Sequence, residues 1–178
     1  MATRAPVLVR EATPADATGI GEVHAAAWRS AYRDVFEAAW LQRLAAKRRN
    51  RWPDLMASDE FEPTTVLVAQ RGPRIVAFVH FGPDSDGADD GPAARIHSCY
   101  AIPAEWGSGV AATLLDDAVQ HIAEAGYRLV RLRTLAGANR ARRFYAREGF
   151  QETGFGREHD FGDGRPVMQV EYERAISG

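Results

Sequence analysis

The chain has 178 residues, of which 46 % are hydrophobic and 26 % are charged, a composition typical of a single globular domain. The formal net charge of −2 excludes a global positive field that would hold nucleic acid or an anionic membrane. The only cysteine, Cys99, excludes an intrachain disulfide and a cysteine-rich metal site. We therefore predict one domain over residues 1–178, with no metal, no nucleic-acid partner and no membrane partner.

Residues 1–16 lack the apolar core of a signal peptide, and no apolar run approaches the roughly 18 residues that span a membrane. This pattern predicts a cytoplasmic protein.

The first elements are one strand and two helices. A short apolar run predicts a strand over Val7–Arg10. The residues Thr-Pro-Ala-Asp at 13–16 are typical of a helix start, and apolar residues follow at helical spacing over 20–31. A second helix is predicted over Ala38–Arg49. The basic residues 47–49 close this helix, where the dipole at the helix C-terminus stabilises positive charge. They are interpreted as a solvated helix end.

The rest of the chain predicts six strands and two helices. The polar segment Pro83–Pro92 is rich in turn formers and acids, and it is predicted to be a loop. The strands are predicted at Thr64–Gln70, Ile75–Phe81, Arg95–Ile102, Arg128–Thr134, Gln151–Glu158 and Pro166–Arg174, and the helices at Ala111–Ala125 and from Asn139 to near Gly149. This order predicts an α/β fold with one mixed sheet, helices on both faces, and a right-handed parallel crossover around the third helix.

The most informative segment is 99–112, which reads CYAIPAEWGSGVAA. A predicted strand ends here, and a loop with two glycines leads directly into a helix. Glycines let the backbone approach a ligand closely, and the N–H groups of a first helical turn attract an anion. The segment therefore predicts a phosphate or pyrophosphate held by backbone N–H groups, and a glycine-relieved turn without a ligand is an equal alternative.

Two known phosphate-binding loops are alternative interpretations of this segment. The P-loop requires a Gly-Lys-Ser/Thr ending, and no lysine is present here. The dinucleotide fingerprint is matched formally by Gly107-x-Gly109-x-x-Ala112, but no ribose-binding acid follows among Arg131–Thr134. A nucleotide-binding oxidoreductase domain is therefore the less favoured alternative.

Several segments resemble the GCN5-related N-acetyltransferase (GNAT) superfamily. Its acyl-CoA loop, Gln/Arg-x-x-Gly-x-Gly/Ala, is matched by Gly109-x-Ala111, with Trp106 where Gln or Arg is usual. The segment NRARRFYAREGF at 139–150 resembles the family's Asn-x-x-Ala-x-x-Phe-Tyr-x-x-x-Gly-Phe segment. The opening VREATPAD at 9–16 also resembles family members, and HAAAWRSAYRD at 24–34 resembles a bacterial subgroup of them. The resemblance covers nearly the whole chain.

The resemblance implies the acyl-CoA N-acyltransferase fold, with a mostly antiparallel sheet and one splayed parallel strand pair. It implies acetyl-CoA as co-substrate and direct attack by a primary amine, with a non-catalytic acyl-CoA-binding module as the alternative. Backbone groups near the end of one splayed strand would pair with the pantetheine arm and polarise the thioester. The implied cofactor-binding residues are Tyr100, Ala101 and Ile102 for the arm and Gly107, Ser108, Gly109, Val110 and Ala111 for the phosphates.

Further residues have both a functional and a structural interpretation. Tyr145 matches the family's general acid, and a phenol with a pKa of about 10 can protonate a thiolate. The alternative is that Tyr145 is a core aromatic residue. For the neighbouring Phe144 we expect a packing role. Asn139 contacts the cofactor arm or caps a helix, and both roles are compatible. His97 is the best base candidate, or it is an ordinary sheet histidine. Glu105 is an alternative base that more often serves the helix dipole.

The acceptor pocket is the least determined part. The acceptor pocket is lined by Trp28, Tyr32 and Trp106, or these aromatic residues belong to the core. The acidic residues of the loop 84–90 either attract a cationic acceptor or are simply solvated. Cys99 is interpreted as a small apolar residue rather than a nucleophile. The acceptor is a small-molecule or peptide amine, so peptide N-termini, polyamines, antibiotics and small metabolites stay open. The resemblance also implies a possible homodimer, since many members of the family are dimers.

Overall fold

The computed structural model describes residues 5–86 and 92–177, so residues 87–91 of the predicted acidic loop lie outside it. The described residues form five α-helices and seven strands. The helices are α1 (Ala17–Ala31), α2 (Ala38–Asn50), α3 (Trp52–Met56), α4 (Val110–Glu124) and α5 (Asn139–Arg147). The strands are β1 (Val7–Glu11), β2 (Thr65–Arg71), β3 (Arg74–Pro83), β4 (Ala93–Ala101), β5 (Leu129–Leu135), β6 (Gln151–His159) and β7 (Val167–Ala175).

The seven strands form one sheet in the order β1-β2-β3-β4-β5-β7-β6. The pairs β1–β2, β2–β3, β5–β7 and β6–β7 are antiparallel, and β4–β5 is parallel. The parallel register joins Ala93–Ile96 to Leu129–Leu132 and does not include the next pair, His97 and Arg133. The predicted α/β class is confirmed, with a mostly antiparallel sheet and one parallel pair.

The chain divides into two compact units, and the prediction of a single domain stays a prediction. The first unit is Met1–Phe81 with Ser98–Ala118, and the second is Gly82–His97 with Val119–Gly178.

In the first unit, the apolar face of α1 is buried through Ile20 and Val23, and α1 packs closely against α2. Gly21 permits this approach, because a Cβ at that position would lie 2.4 Å from the carbonyl oxygen of Arg49. The chain enters α1 through a short 3-10 turn, Pro14–Asp16, and the backbone N–H of Thr13 donates to the Asp16 carboxylate at 2.8 Å. The close helix contact fixes the C-terminal end of α2 beside α1.

In the second unit, the core is formed by apolar residues of β5 and the turn after α5. Val130, Leu132 and Phe150 are each at most 2 % exposed. The whole of β6 is exposed, including Phe155 at 46 %. The strand β6 therefore contributes little to the core.

Three local features differ from the sequence predictions. The helix α3 was not predicted, since its five residues are too few for a periodic pattern. A second 3-10 turn, Pro103–Glu105, occupies the loop before α4. Asn139 is the first residue of α5 rather than its cap: the N-cap position is Ala138, which has no side chain able to accept a hydrogen bond. The prediction that Asn139 caps this helix is therefore wrong.

Candidate functional site

The loop between β4 and α4 has an open, glycine-dependent backbone. Gly107 and Gly109 have φ values of +78° and +87°, in the region that residues with a Cβ rarely adopt. A Cβ at either position would meet no atom within 4 Å. The glycines are therefore needed for the course of the backbone, and the space above them is open to a ligand.

The backbone N–H groups of this loop are only partly used within the chain. Ser108 donates to the carbonyl of Glu105 at 3.1 Å, and Val110 donates to the Ser108 hydroxyl at 3.3 Å. Among the described residues, none accepts a hydrogen bond from the N–H of Gly107, Gly109 or Ala111. These donors precede or begin a 15-residue helix, where the backbone dipoles favour an anion. The loop can therefore bind phosphate oxygens without rearrangement of its internal hydrogen bonds.

Trp106 ties the loop to the end of β4. Its indole N–H donates to the carbonyl of Ala101 at 3.0 Å, and its ring is half-buried. An indole has a single donor, and here the protein itself uses it. Trp106 is therefore a structural clamp in this chain rather than a phosphate ligand.

Glu105 is held in a buried ion pair. The residue is 7 % exposed, and its carboxylate accepts two hydrogen bonds from the Arg71 guanidinium, at 2.9 and 3.1 Å. Arg71 also donates to the carbonyl of Ala5. A carboxylate paired in this bidentate way is a poor proton acceptor. The arrangement favours a structural role for Glu105 over its alternative role as a base.

The end of β4 offers fewer backbone groups to a ligand than the sequence suggested. Ile102 donates its N–H to the carbonyl of Val76 at 2.9 Å and accepts from the N–H of Glu105 at 2.9 Å. The carbonyl of Ala101 accepts the Trp106 indole. Because backbone groups of successive strand residues point to opposite sides, the N–H of Ala101 points away from β3. Ala101 is therefore the donor best placed to meet an extended ligand along this edge.

Cys99 and His97 lie on the same face of β4. Burial raises the pKa of the Cys99 thiol to about 12, so the thiolate is scarce at neutral pH. This agrees with the interpretation of Cys99 as an apolar residue. The side chain of His97 is exposed and lies just beyond the last parallel pair of β4 and β5. An exposed imidazole can exchange protons with solvent.

In the second unit, α5 places Asn139 and Tyr145 on different sides. Asn139 is exposed and lines an open cavity of about 290 Å³ together with Arg142, Arg143, Ala146 and Tyr172. Tyr145 is 8 % exposed, and its ring lies 5.9 Å from that of Phe150. Phe144, which was expected to pack, is only half-buried, and Tyr145 is the more buried of the two neighbouring rings.

The acidic loop is partly structural, contrary to the interpretation that it is solvated. The Asp84 carboxylate is fully buried and binds Arg95 at 2.8 Å, and Asp86 binds Arg133 at 2.9 Å. Glu171 of β7 binds both arginines at 3.2 Å. These carboxylates are neutralised by arginines of β4 and β5, so they supply little field for attracting a cationic acceptor.

A cluster of aromatic and cationic side chains in the first unit was not predicted. The ring of Tyr100 stacks on His24 at 4.8 Å, and its hydroxyl lies 3.3 Å from that of Tyr32. The guanidinium carbon of Arg48 lies 4.5 Å from the Trp28 ring centroid, and that of Arg51 lies 5.5 Å from Trp52.

Arg48 is therefore not part of a solvated helix end. It follows the buried residues Leu41, Leu44 and Ala45 at helical spacing, which places it on the buried face of α2. That spacing is the signal in the sequence that could have identified Arg48. His24 accepts a hydrogen bond from the Trp52 indole at 3.1 Å, and burial, followed by the charges of Arg48 and Arg51, lowers its pKa well below 6.5.

Two further features of the described residues bear on function. No group of three His, Cys, Asp or Glu side chains is placed to hold a metal ion. Nor does any helix within residues 5–86 and 92–177 have both the length and the apolar character needed to cross a membrane.

The sequence profile of the Acetyltransferase (GNAT) family matches residues 25–150, more than half of the chain, and the chain belongs to this family. Its class is therefore that of the acyl-CoA-dependent N-acetyltransferases, which replaces the oxidoreductase alternative. No curated protein sequence matches the chain.

Solved structures share the fold at low sequence identity. The PaiA N-acetyltransferase of Thermoplasma acidophilum, in complex with coenzyme A, has a TM-score of 0.75 at 15 % identity, covering 96 % of this chain and 99 % of that one. YncA of Salmonella typhimurium, solved with acetyl-CoA, has a TM-score of 0.68 at 20 % identity over 96 % and 94 %. The ribosomal-protein-alanine N-acetyltransferase of Brucella melitensis has a TM-score of 0.67 at 20 % identity over 95 % and 99 %.

Proposed function

We propose that the protein transfers an acetyl group from acetyl-CoA to a primary amine. The observation that carries this proposal is the loop from Gly107 to Ala111, with its open glycine backbone and its unused N–H donors at the start of α4. Diphosphate oxygens are ligands that such donors bind well. Two fold relatives contain coenzyme A or acetyl-CoA, which supports the same cosubstrate here.

The proposed roles follow the order of the cosubstrate. The loop Gly107, Ser108, Gly109, Val110 and Ala111 binds its phosphates, chiefly through the N–H groups of Gly107, Gly109 and Ala111, which have no acceptor among the described residues. The strand end Tyr100–Ile102 pairs with the pantetheine arm. Within that strand end, the N–H of Ala101 is the proposed donor to the thioester carbonyl, because Ile102 already donates to Val76. A donor at this oxygen stabilises the negative charge that develops there during attack. Asn139 is proposed to contact the arm.

The transfer itself requires one proton to move from nitrogen to sulfur. The lone pair of the neutral amine forms the new C–N bond at the thioester carbon, and the C–S bond breaks with its electrons on sulfur. The nitrogen loses a proton, and the sulfur gains one, so that the products are an N-acetyl amide and the CoA thiol. We propose His97 as the proton acceptor and Tyr145 as the donor to sulfur, on the basis of the family pattern and the chemistry of these side chains.

The first experiment is calorimetric titration with acetyl-CoA, with NADPH as the control ligand. Saturable binding of acetyl-CoA without a response to NADPH is the expected result. An absence of acetyl-CoA binding would remove the basis of the proposal. Thiol release during incubation with a panel of amines then separates an active transferase from a binding module, because a binding module would bind acetyl-CoA without amine-dependent release.

Tyr145→Phe tests the proton donor. We expect unchanged affinity for acetyl-CoA and a lower kcat, because phenylalanine keeps the buried ring and removes only the hydroxyl. The matched control is Tyr127→Phe, a half-buried tyrosine after α4 that has no proposed role. An unchanged kcat for Tyr145→Phe, with single-turnover kinetics showing that chemistry limits the rate, would rule out this assignment. The cytoplasmic location and the homodimer stay predictions.

A further inference from the structure

The segment that leads into the proposed phosphate loop is attached to the sheet by a buried ion pair. The Glu105 carboxylate accepts two hydrogen bonds from the Arg71 guanidinium, at 2.9 and 3.1 Å, and both side chains are largely shielded from solvent. Two parallel N–H donors on one carboxylate fix its orientation as well as its distance. The ion pair therefore fixes the position of this segment relative to β2.

Arg71 provides a rigid attachment point. It is the last residue of β2, which lies between β1 and β3 in the sheet. Its backbone lies opposite Val7 of β1 on one side and Arg74 of β3 on the other. Its guanidinium also donates to the carbonyl of Ala5, just before β1. The arginine that holds Glu105 is thus itself held by two strands and by the chain that enters the first of them.

Glu105 connects this attachment point to the backbone of the loop. It ends the 3-10 turn Pro103–Glu105, and its N–H donates to the carbonyl of Ile102 at 2.9 Å. Its carbonyl accepts the N–H of Ser108 at 3.1 Å, so this bond spans Gly107. Glycine loses more conformational freedom on folding than any other residue, so a loop with glycines needs such bonds to keep one conformation. Movement of Glu105 would therefore alter the course of the loop.

The N–H groups proposed to bind phosphate depend on this support. Those of Gly107, Gly109 and Ala111 have no acceptor among the described residues, so no hydrogen bond of their own fixes their direction. Their direction is set instead by the residues on either side of them. A loop that already has its bound conformation loses less entropy when a ligand binds. A fixed Glu105 should therefore increase the affinity for a diphosphate.

We propose that Arg71 and Glu105 are positioning residues for the diphosphate of acetyl-CoA. Their ion pair holds the loop from Gly107 to Ala111 in the conformation that presents its N–H groups to the phosphates. The inference rests on the proposed binding of acetyl-CoA and assigns a part in it to β2, which carries none of the ligand-binding groups proposed above. The pair also neutralises a carboxylate that lies two residues before the loop, where an unpaired negative charge would repel the ligand.

The test compares two acyl donors that share the thioester and the pantetheine arm. Acetyl-CoA carries the diphosphate, and S-acetyl-pantetheine does not. The Kd of acetyl-CoA is measured by calorimetric titration, and that of S-acetyl-pantetheine by competition with acetyl-CoA. The readout is the preference for acetyl-CoA, which is the ratio of the two Kd values. A variant that is only partly folded raises both apparent Kd values by the same factor, so the preference does not depend on stability.

The variants remove the ion pair while keeping long side chains. Arg71→Met and Glu105→Met are each expected to lower the preference about tenfold or more, the size of one charge-assisted hydrogen bond to phosphate. Each leaves one buried charge unpaired, which destabilises the fold. The double variant, Arg71→Met with Glu105→Met, buries no charge, and apolar replacement of a whole buried ion pair is often neutral for stability. It should show the same loss of preference at nearly unchanged Tm.

A second ion pair in the same unit supplies the matched control. Arg10 also binds a carboxylate through two hydrogen bonds, to Asp16 at 2.7 and 2.8 Å, and it makes no contact with the phosphate loop among the hydrogen bonds of the described residues. Arg10→Met should therefore keep the preference for acetyl-CoA, although it removes an ion pair of the same kind.

Each other outcome overturns the inference. An unchanged preference in the double variant would leave the ion pair with a structural role alone, and an equal loss in Arg10→Met would show that the effect is not specific to the loop. A loss in Arg71→Met with no loss in Glu105→Met would mean that Arg71 only neutralises a carboxylate. These results leave acetyl-CoA binding by the unmodified protein intact. If the unmodified protein itself fails to bind acetyl-CoA, the proposed function fails and the inference fails with it.

Discussion

The phosphate-binding loop can be tested with two glycine substitutions that strain the backbone equally. Gly109 has a φ of +87° and Gly126, at the end of α4, has a φ of +94°. A Cβ at either position meets no atom within 4 Å. Substitution by alanine therefore adds no collision at either site, and its cost comes from the left-handed backbone conformation. That cost is about 1–2 kcal/mol.

The two variants are expected to agree in stability and to differ in binding. Gly109→Ala and Gly126→Ala should each lower Tm by roughly 2–8 °C, since about 1 kcal/mol corresponds to roughly 2–4 °C in a chain of this size. Only Gly109→Ala should weaken acetyl-CoA binding, because its methyl group occupies the space next to the proposed phosphate ligands. The loss of one charge-assisted hydrogen bond predicts a Kd about tenfold higher or more.

Thermal unfolding and calorimetric titration measure both quantities on the same protein samples. The refuting result is a Gly109→Ala protein that is destabilised like Gly126→Ala and yet binds acetyl-CoA with the original Kd. The loop would then be a strained turn without a role in binding. A loss of affinity in Gly126→Ala of the same size would show instead that backbone strain acts on binding from a distance.

Three further predictions concern individual side chains. The hydrogen-bonded ion pair with Arg10 lowers the pKa of Asp16 from 3.8 to about 2. The ionised carboxylate should therefore add up to about 2 kcal/mol to the free energy of unfolding above pH 4, and this contribution should be lost as the pH falls towards 2. Denaturant titrations should show the same loss for Asp16→Asn and no such loss for the control Asp34→Asn, whose side chain is exposed. Burial lowers the pKa of His24 well below 6.5, so the unfolded chain binds a proton at this residue before the folded chain does. The free energy of unfolding should therefore fall below pH 6.5, by up to about 1.4 kcal/mol per pH unit. The variant His24→Gln should remove this slope, and the control His159→Gln should retain it. Cys99 should react with iodoacetamide at pH 8 at least about a hundredfold more slowly in the native chain than in the denatured chain, and equal rates would contradict its raised pKa.

Several parts of this protein could be predicted from short segments of the sequence. The course of the loop before α4 depends on glycines and on a helix start within a few residues, so a glycine-dependent backbone at Gly107 and Gly109 could be expected from the sequence, and their positive φ values agree with it. Their role in phosphate binding stays a prediction. The α/β class followed from the order of strands and helices, and the sheet confirms it. The family was also recognised from local motifs, since the segments before α4 and along α5 each keep their own spacing. In these cases the physical cause lies in neighbouring residues.

Other features could not be predicted, because the partners are far apart in the chain. Trp106 was expected to line the acceptor pocket or belong to the core, and the bond of its indole to the carbonyl of Ala101 is visible only in the structure. Glu105 is paired with Arg71, which is 34 residues away, and Asp84 is buried against Arg95. A sequence pattern shows which side chains carry charge, but not which charges meet.

The cluster around Arg48 shows the same division. Helical spacing placed Leu41, Leu44 and Ala45 on one face of α2, and the same spacing includes Arg48. The basic run nevertheless suggested a solvated helix end, since the C-terminal dipole explains cations there without burial. Only the packing of α2 against α1 brings the guanidinium over the Trp28 ring. The sequence determined the faces of the helices, and the tertiary structure decided which cation became buried, because burial depends on what packs against a face.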